Sequence, residues 1–367
     1  MLDRGNGDQW STTWADDDNL YTAWGDGTGF GYEVVRMHAD RVFLGLARID
    51  GTPPHYQAAN IWGGFKPESS TPALYVHQEP KTENLKPGQG LVFANGKMYL
   101  LALVHGLDNR RNRLLSSTDY GKTWQDHGFL FDHEPYYRFA ESYIIQFGRN
   151  YSGVPDHLAG YVYLYSLSKS DWVYYQENGR PQSKSTRWDN PLVTNQDLVL
   201  ARVPLDKIEQ RSAYEFYCGS GGGNGNGYTG PAWSKDINAA TSVFHDPNGA
   251  NWHPYCVYNP WLKRFILVVK NTYNPYPLER NYFNCDSAGL GMYEAENPWG
   301  PWHTFFYTRH IGRFIPGLDL GISFTIPQKW MENDGRTWWM IFAGRGTYEG
   351  KSMYGFNLVK LDLELSL

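Results

Sequence analysis

Cysteine is scarce, with only Cys218, Cys256 and Cys285 in 367 residues. No two of them stand in a C-x-x-C pair, which excludes a zinc ribbon. Three thiols admit at most one disulfide, and the spacing does not name its partners. Long apolar runs are missing, and none approaches the ~20 residues of a membrane span. The opening Met1-Leu2-Asp3-Arg4-Gly5 lacks the apolar core of a secretory signal. The sequence is therefore expected to be cytosolic or a mature secreted form. Positive charge is not in surplus: the net charge is −5. No basic stripe of the kind that binds nucleic acid is visible, so neither nucleic acid nor membrane is an expected partner. Helical signals are nearly absent too. Only Val203 to Glu209 reads as a helix, about two turns long.

What is present points to strands. Hydrophobic residues make up 41% and charged residues 19%, enough for a full core and against disorder. Aromatics reach 16%, with 15 Trp and 27 Tyr. Such residues favour strands, and indole faces also stack on sugar rings. Short apolar runs recur at Arg41–Ala47, Lys97–Val104, Tyr161–Tyr165, Asp197–Val203, Arg264–Val269 and Trp338–Ala343, with Gly, Pro, Asn or Asp turns between them. No linker divides the chain. Repeated meanders without helices predict one all-β domain over residues 1–367, closed as a radial array. At roughly 50 residues per four-stranded blade the length fits seven blades, although five larger ones also fit. A polar insertion runs from Ser168 to Gln196. The glycine run Gly219 to Gly227 reads as a loop. It is not a phosphate loop, because no Gly-Lys-Ser/Thr and no helix follows it.

Residues Ser117-Thr118-Asp119-Tyr120-Gly121-Lys122-Thr123-Trp124 fit Ser-x-Asp-x-Gly-x-Thr-Trp and resemble the Asp-box turn of sialidase-like β-propellers. Asp bonds its own backbone and Gly supplies the turn. A partial second copy is Asp334-Gly335-Arg336-Thr337-Trp338. The opening Trp10 to Phe30 is similar to the first blade of β-propeller polysaccharide lyases and their DUF4185 relatives. So are Leu200 to Pro204, Ala213 to Phe216, Trp233-Ser234, Tyr258-Asn259, Pro298 to Trp302 and Lys329-Trp330. Within that group the chain most resembles fungal L-rhamnose-α-1,4-D-glucuronate lyases. The resemblance implies a seven-bladed, secreted, monomeric enzyme that removes rhamnose from arabinogalactan such as gum arabic. It implies β-elimination, leaving an unsaturated uronate. The glycosylation sequon Asn150-Tyr151-Ser152 agrees with secretion. A DUF4185 branch instead hydrolyses arabinan with paired aspartates, and a non-catalytic sugar-binding propeller is the third reading. Fold alone does not choose among them.

Elimination requires neutralising a carboxylate, removing a C5 proton and protonating the departing oxygen. His105, at the end of a strong strand and before Asp108-Asn109-Arg110-Arg111, is the expected base, with an ordinary pKa suited to reversible transfer. In ulvan lyases a His in this region is catalytic, but their second His has no counterpart here. The resemblance pairs a Tyr with an Arg on neighbouring strands, which points to Tyr163 and Arg202, with Tyr161 on the same face. Arg138 is a second candidate for the uronate. Asn60 and Trp62 are candidates for sugar contact, and His77, His245 and His253 are alternatives. His253 and Cys256 make only half a metal site. Elimination needs no redox or group-carrying cofactor, and a structural calcium is compatible with the fold, though no motif demands one. The hydrolase reading needs two carboxylates, for which Asp16, Asp17, Asp18 and Asp26 are the supply. Turn chemistry explains these equally well, Asp26-Gly27 above all. The sialidase reading ranks low, because Arg313-Phe314-Ile315-Pro316 follows the Asp-box instead of preceding it.

Overall fold

The computed structural model describes residues 5–31, 42–64, 68, 84–88, 90–105, 112–131, 139, 142–168, 172–177, 180–185, 196–220, 230–250, 253–271 and 288–365. They form five antiparallel sheets arranged as the blades of a propeller. Blade 1 is Asn6–Trp14, Leu20–Gly29, Gly45–Asp50 and Gln57–Trp62. In blade 2 the short pieces Asn84–Lys86 and Leu91–Ala94 pair with Lys97–His105, followed outward by Asn112–Ser117 and Gln125–Phe129. Blade 3 orders Ser142–Ile144, Tyr161–Leu167, Asp197–Pro204, Glu215–Ser220 and Pro231–Ser234, with Ser242–His245 also on Asp197–Pro204. Blade 4 is Tyr255–Asn259, Arg264–Val269, Leu290–Ala295 and His303–Thr308. Blade 5 has Leu318–Thr325, Thr337–Tyr348 and Asn357–Asp362 across its width.

Five blades replace the seven expected. Dividing length by a typical blade fails because blade 3 alone runs from 142 to 245. Its polar insertion contains a separate hairpin, Trp172–Glu177 with Arg180–Ser185, that adds nothing to the ring. The expected helix is also absent. Val203 and Pro204 finish a strand, and the chain then turns through i→i+3 bonds, Lys207 N–H to Pro204 O at 2.8 Å and Gln210 N–H to Lys207 O at 2.9 Å. Among the described residues only short 3₁₀ turns are helical.

The second strands show why the apolar runs look continuous rather than alternating. In Arg264–Val269, Phe265, Leu267 and Val269 enter the core shared with blade 3, while Ile266 and Val268 enter the core shared with blade 5. Lys97–His105 divides likewise, with Met98, Leu100 and Ala102 toward blade 1 and Tyr99 and Leu101 toward blade 3. Successive side chains face opposite ways, and each face meets a neighbouring blade.

The ring closes between blades 1 and 5. Trp10, Trp24, Phe30, Trp330, Ile341 and Phe356 pack in one cluster, with Trp10 stacked on Trp24 at 5.7 Å. Backbone bonds complete the seam: Phe356 N–H donates to Gly5 O at 2.8 Å, and Asn6 bridges Gly355. The innermost strands run the same way, as the parallel bridge Gln146–Val257 shows for blades 3 and 4. They define a front face, where innermost strands begin, and a back face, where they end.

Both Asp-box turns lie at the back. Thr123 N–H and Oγ1 donate to Asp119 at 2.9 and 2.6 Å, Gly121 N–H donates to Ser117 Oγ at 2.8 Å, and Trp124 Nε1 donates to Gly121 O at 2.9 Å. The partial copy repeats the last bond, from Trp338 Nε1 to Gly335 O at 2.6 Å.

Candidate functional site

At the front of blade 1 both inner strands are bulged. The register slips between Asn6 and Asp8 and again before Ser11, so Asp8 lies opposite Gly25. Gln9, Trp10 and Asp26 take left-handed backbone angles, φ 74°, 38° and 51°. Non-glycine residues reach this region at a cost, and bulges re-aim side chains. Gly27 makes the close approach possible, since a Cβ there would come within 2.2 Å of Asn6 O. Asp26-Gly27 is thus the kink of a bulged strand, not the hairpin turn its sequence suggests.

The bulges bring two acidic side chains to the front mouth. Asp8, only 7% exposed, accepts a hydrogen bond at Oδ2 from the Tyr354 hydroxyl at 2.9 Å. Tyr354 comes from blade 5, in the connection between Thr337–Tyr348 and Asn357–Asp362. Its hydroxyl also lies 3.2 Å from the Asp26 carbonyl. Asp26 Oδ2 is ion-paired with Lys86 Nζ at 2.7 Å, with both side chains nearly buried. Lys86 belongs to the innermost piece of blade 2, and its ammonium sits 5.8 Å from the Phe43 ring centre. A Cβ on Gly25 would touch Asp8 Oδ1 at 3.1 Å and Pro87 Cδ at 3.3 Å, so Asp8 packs beside the Lys86 segment. Gln9 Oε1 accepts from Gly88 N–H at 2.9 Å and locks that segment to blade 1. Three ionic groups from two blades and a tyrosine from a third therefore share one desolvated spot. Burying charge is costly, so such clusters are candidates for function.

The other aspartates of blade 1 are at the back. Asp16, Asp17 and Asp18 occupy the turn after the innermost strand. Tyr120 donates to Asp16 at 3.0 Å, Tyr21 to Asp17 at 2.7 Å, and Lys329 is 3.2 Å from Asp18. They staple blade 1 to blades 2 and 5.

The described residues among those expected from sequence lie at different places in the ring. His105 ends the second strand of blade 2 at the front, its backbone paired with Asn84; its side chain lies outside the described residues, as do Arg138 and His77 entirely. Tyr163 and Arg202 are cross-strand partners as expected, and the Arg202 guanidinium stacks 4.2 Å from both the Tyr161 and Trp233 rings. Yet Arg202 approaches the end of a third strand, and Tyr161 starts a second strand, which places both toward the back. Arg202 is also ion-paired, Nε and Nη2 lying 2.9 and 2.8 Å from Glu215 Oε2. Tyr163 is buried, donates to Leu158 O at 3.2 Å, and has its pKa pushed up to about 12 by burial. Asn60 holds the Phe30 backbone through bonds of 2.9 and 3.0 Å, and Trp62 is in the core between blades 1 and 2. His245 is exposed beside Asp197 at 3.0 Å, and His253 is buried edge-on to Tyr143. Cys218 and Cys256 are free thiols, and Cys285 lies outside the described residues. Among the described residues no His, Cys, Asp or Glu cluster could hold a metal ion.

Asp8, Lys86 and Tyr354 were not singled out by sequence. Asp8 carried one signal, a lone charge among buried strand residues; Lys86 and Tyr354 carried none.

No family model matches this sequence, and no curated protein matches it. Solved structures do resemble it. One is a xylan β-1,4-xylosidase from Bacillus halodurans, 10% identical over 100% of this chain and 54% of that one, with a TM-score of 0.51. Another is the RS223 β-xylosidase, also 10% identical, over 99% of this chain and 93% of that one, with a TM-score of 0.51. The chain thus spans about half the length of the first. At such identity the likeness concerns the β-propeller fold.

Proposed function

We propose that the chain is a carbohydrate-active enzyme, a glycoside hydrolase working at the front mouth of the propeller. The observation that carries this reading is a tyrosine hydroxyl that bonds the Asp8 carboxylate and lies against the Asp26 backbone, while the Asp26 carboxylate pairs with a nearly buried lysine. Hydrolysis of a glycoside needs two acid–base groups at the scissile bond. Asp8 draws a proton from water while the water oxygen bonds the anomeric carbon. The bond to the departing oxygen breaks, and that oxygen takes its proton from the Lys86–Asp26 pair. The xylosidases of similar fold make pentose glycans the first substrates to try. No redox or group-carrying cofactor enters this chemistry, and action outside the cell fits a polysaccharide substrate.

The test compares wild type, Asp8→Asn and Asp26→Asn on xylan, arabinan, ulvan and gum arabic, measuring new reducing ends. Each substitution is expected to lower the turnover of folded protein about 10²- to 10⁴-fold, with Asp26→Asn the less stable of the two because Lys86 loses its partner. Full activity in folded Asp8→Asn protein would reject the assignment.

Elimination at a rhamnose–glucuronate link is the second reading. It is favoured by His105 ending on the same face, paired with Asn84 two residues from Lys86. There Lys86 neutralises the uronate and His105 moves the proton. Near-ultraviolet absorbance from a conjugated product identifies this reading. Neither reading uses Arg202.

A further inference from the structure

We propose that Tyr354 is a positioning residue that lets Asp8 exchange a proton without losing its hydrogen bond; this rests on Asp8 as the working carboxylate. A phenol has one hydrogen to donate and can also accept. Here its oxygen stands 2.9 Å from Asp8 Oδ2 and 3.2 Å from the Asp26 carbonyl. While Asp8 is ionised, the hydrogen points to the carboxylate and makes a charge-assisted bond. When Asp8 takes up a proton, its new O–H donates to the Tyr354 oxygen. The phenol hydrogen then turns to the Asp26 carbonyl. No atom moves more than a hydrogen, and both states stay bonded.

The connection carrying Tyr354 is built to hold this position. Tyr354 N–H donates to Ser352 Oγ at 3.2 Å, and Gly355 N–H to Met353 O at 3.0 Å. Asn357 Nδ2 reaches Met353 O and Gly355 O at 2.8 and 2.9 Å. Two residues after Tyr354, Phe356 N–H donates to Gly5 O across the seam at 2.8 Å. The carboxylate of the first blade is therefore governed by a side chain of the last, and the site is complete only when the ring is closed. Among the described residues, the titratable groups placed around Asp8 are Asp26 on the neighbouring strand, Lys86 on blade 2 and Tyr354 itself.

Tyr354→Phe removes the hydroxyl and keeps the ring. The expected result is folded protein with slightly lowered thermal stability, KM within about twofold, and kcat reduced about 10-fold or more, since a hydrogen bond to a charged group is lost. The acidic limb of the kcat profile moves to higher pH, because ionised Asp8 loses its donor. An unchanged profile and kcat would overturn the proposal. So would loss of folding in both Tyr354→Phe and Tyr354→His, because the hydroxyl would then be a bolt of the seam. Inactive Asp8→Asn with a normal Tyr354→Phe sinks this inference alone; active Asp8→Asn sinks the reading beneath it.

Discussion

A lysine and two aspartates packed out of water need each other or a substrate. Lys86 and Asp26 are 11% and 13% exposed at their side chains, so their pairing cannot be treated as a surface salt bridge. Removing one partner leaves the other charge stranded. Lys86→Met is expected to cost about 3–5 kcal/mol in urea unfolding. Adding Asp26→Asn to that variant should recover part of the loss, because the stranded charge goes with it. Little of this was legible in the sequence. Asp26 stood among four candidate aspartates, and its neighbour Gly27 argued for a turn. Only the bulge, with Asp26 at φ 51° and Gly27 against Asn6, separates it from Asp16, Asp17 and Asp18. Tyr354 is 346 residues from its partner Asp8, a separation no local pattern encodes.

Strands and turns read more easily, because their causes are local. Each apolar run that the sequence marked from 97 onward forms a strand, and Ser117 to Trp124 makes the bonds its pattern predicts. Burial works to raise the Asp119 pKa, but hydrogen bonds from Thr123 and Ser117 outweigh it and hold the carboxyl below its usual range. A depressed carboxylate contributes stability above its unfolded pKa and loses it as pH falls through the folded value. Asp119→Ala should therefore lose about 1–2 kcal/mol at neutral pH. Its unfolding midpoint should fall less steeply than wild type's as the pH drops below 4. Equal slopes in acid would show that the turn draws no strength from the ionised form. Val203 to Glu209 misread as helix because its composition suits one, while the third strand of blade 3 claimed its first residues.

Blade number belongs to the whole molecule, and here sequence gave least. Five and seven blades share the same strand patterns; what differs is how far connections and insertions stretch each blade, as 142–245 does. The same nonlocality governs the site. Blade 1 supplies Asp8 and Asp26, blade 2 Lys86 and blade 5 Tyr354, while Arg202 and Tyr161 lie toward the other end of the ring. Antiparallel strands make this separation unavoidable: second strands end at the front and third strands at the back. A chemistry that needed His105 and Arg202 together would have to span the ring's depth. Incubating the protein with its glycan in heavy-oxygen water and weighing the products by mass spectrometry decides the matter. Hydrolysis at the front mouth predicts one heavy oxygen in each new reducing end and none in the end that keeps the departing oxygen, with the label absent from the Asp8→Asn reaction. Unlabelled products lighter by the mass of water, formed equally well by Asp8→Asn, would contradict it.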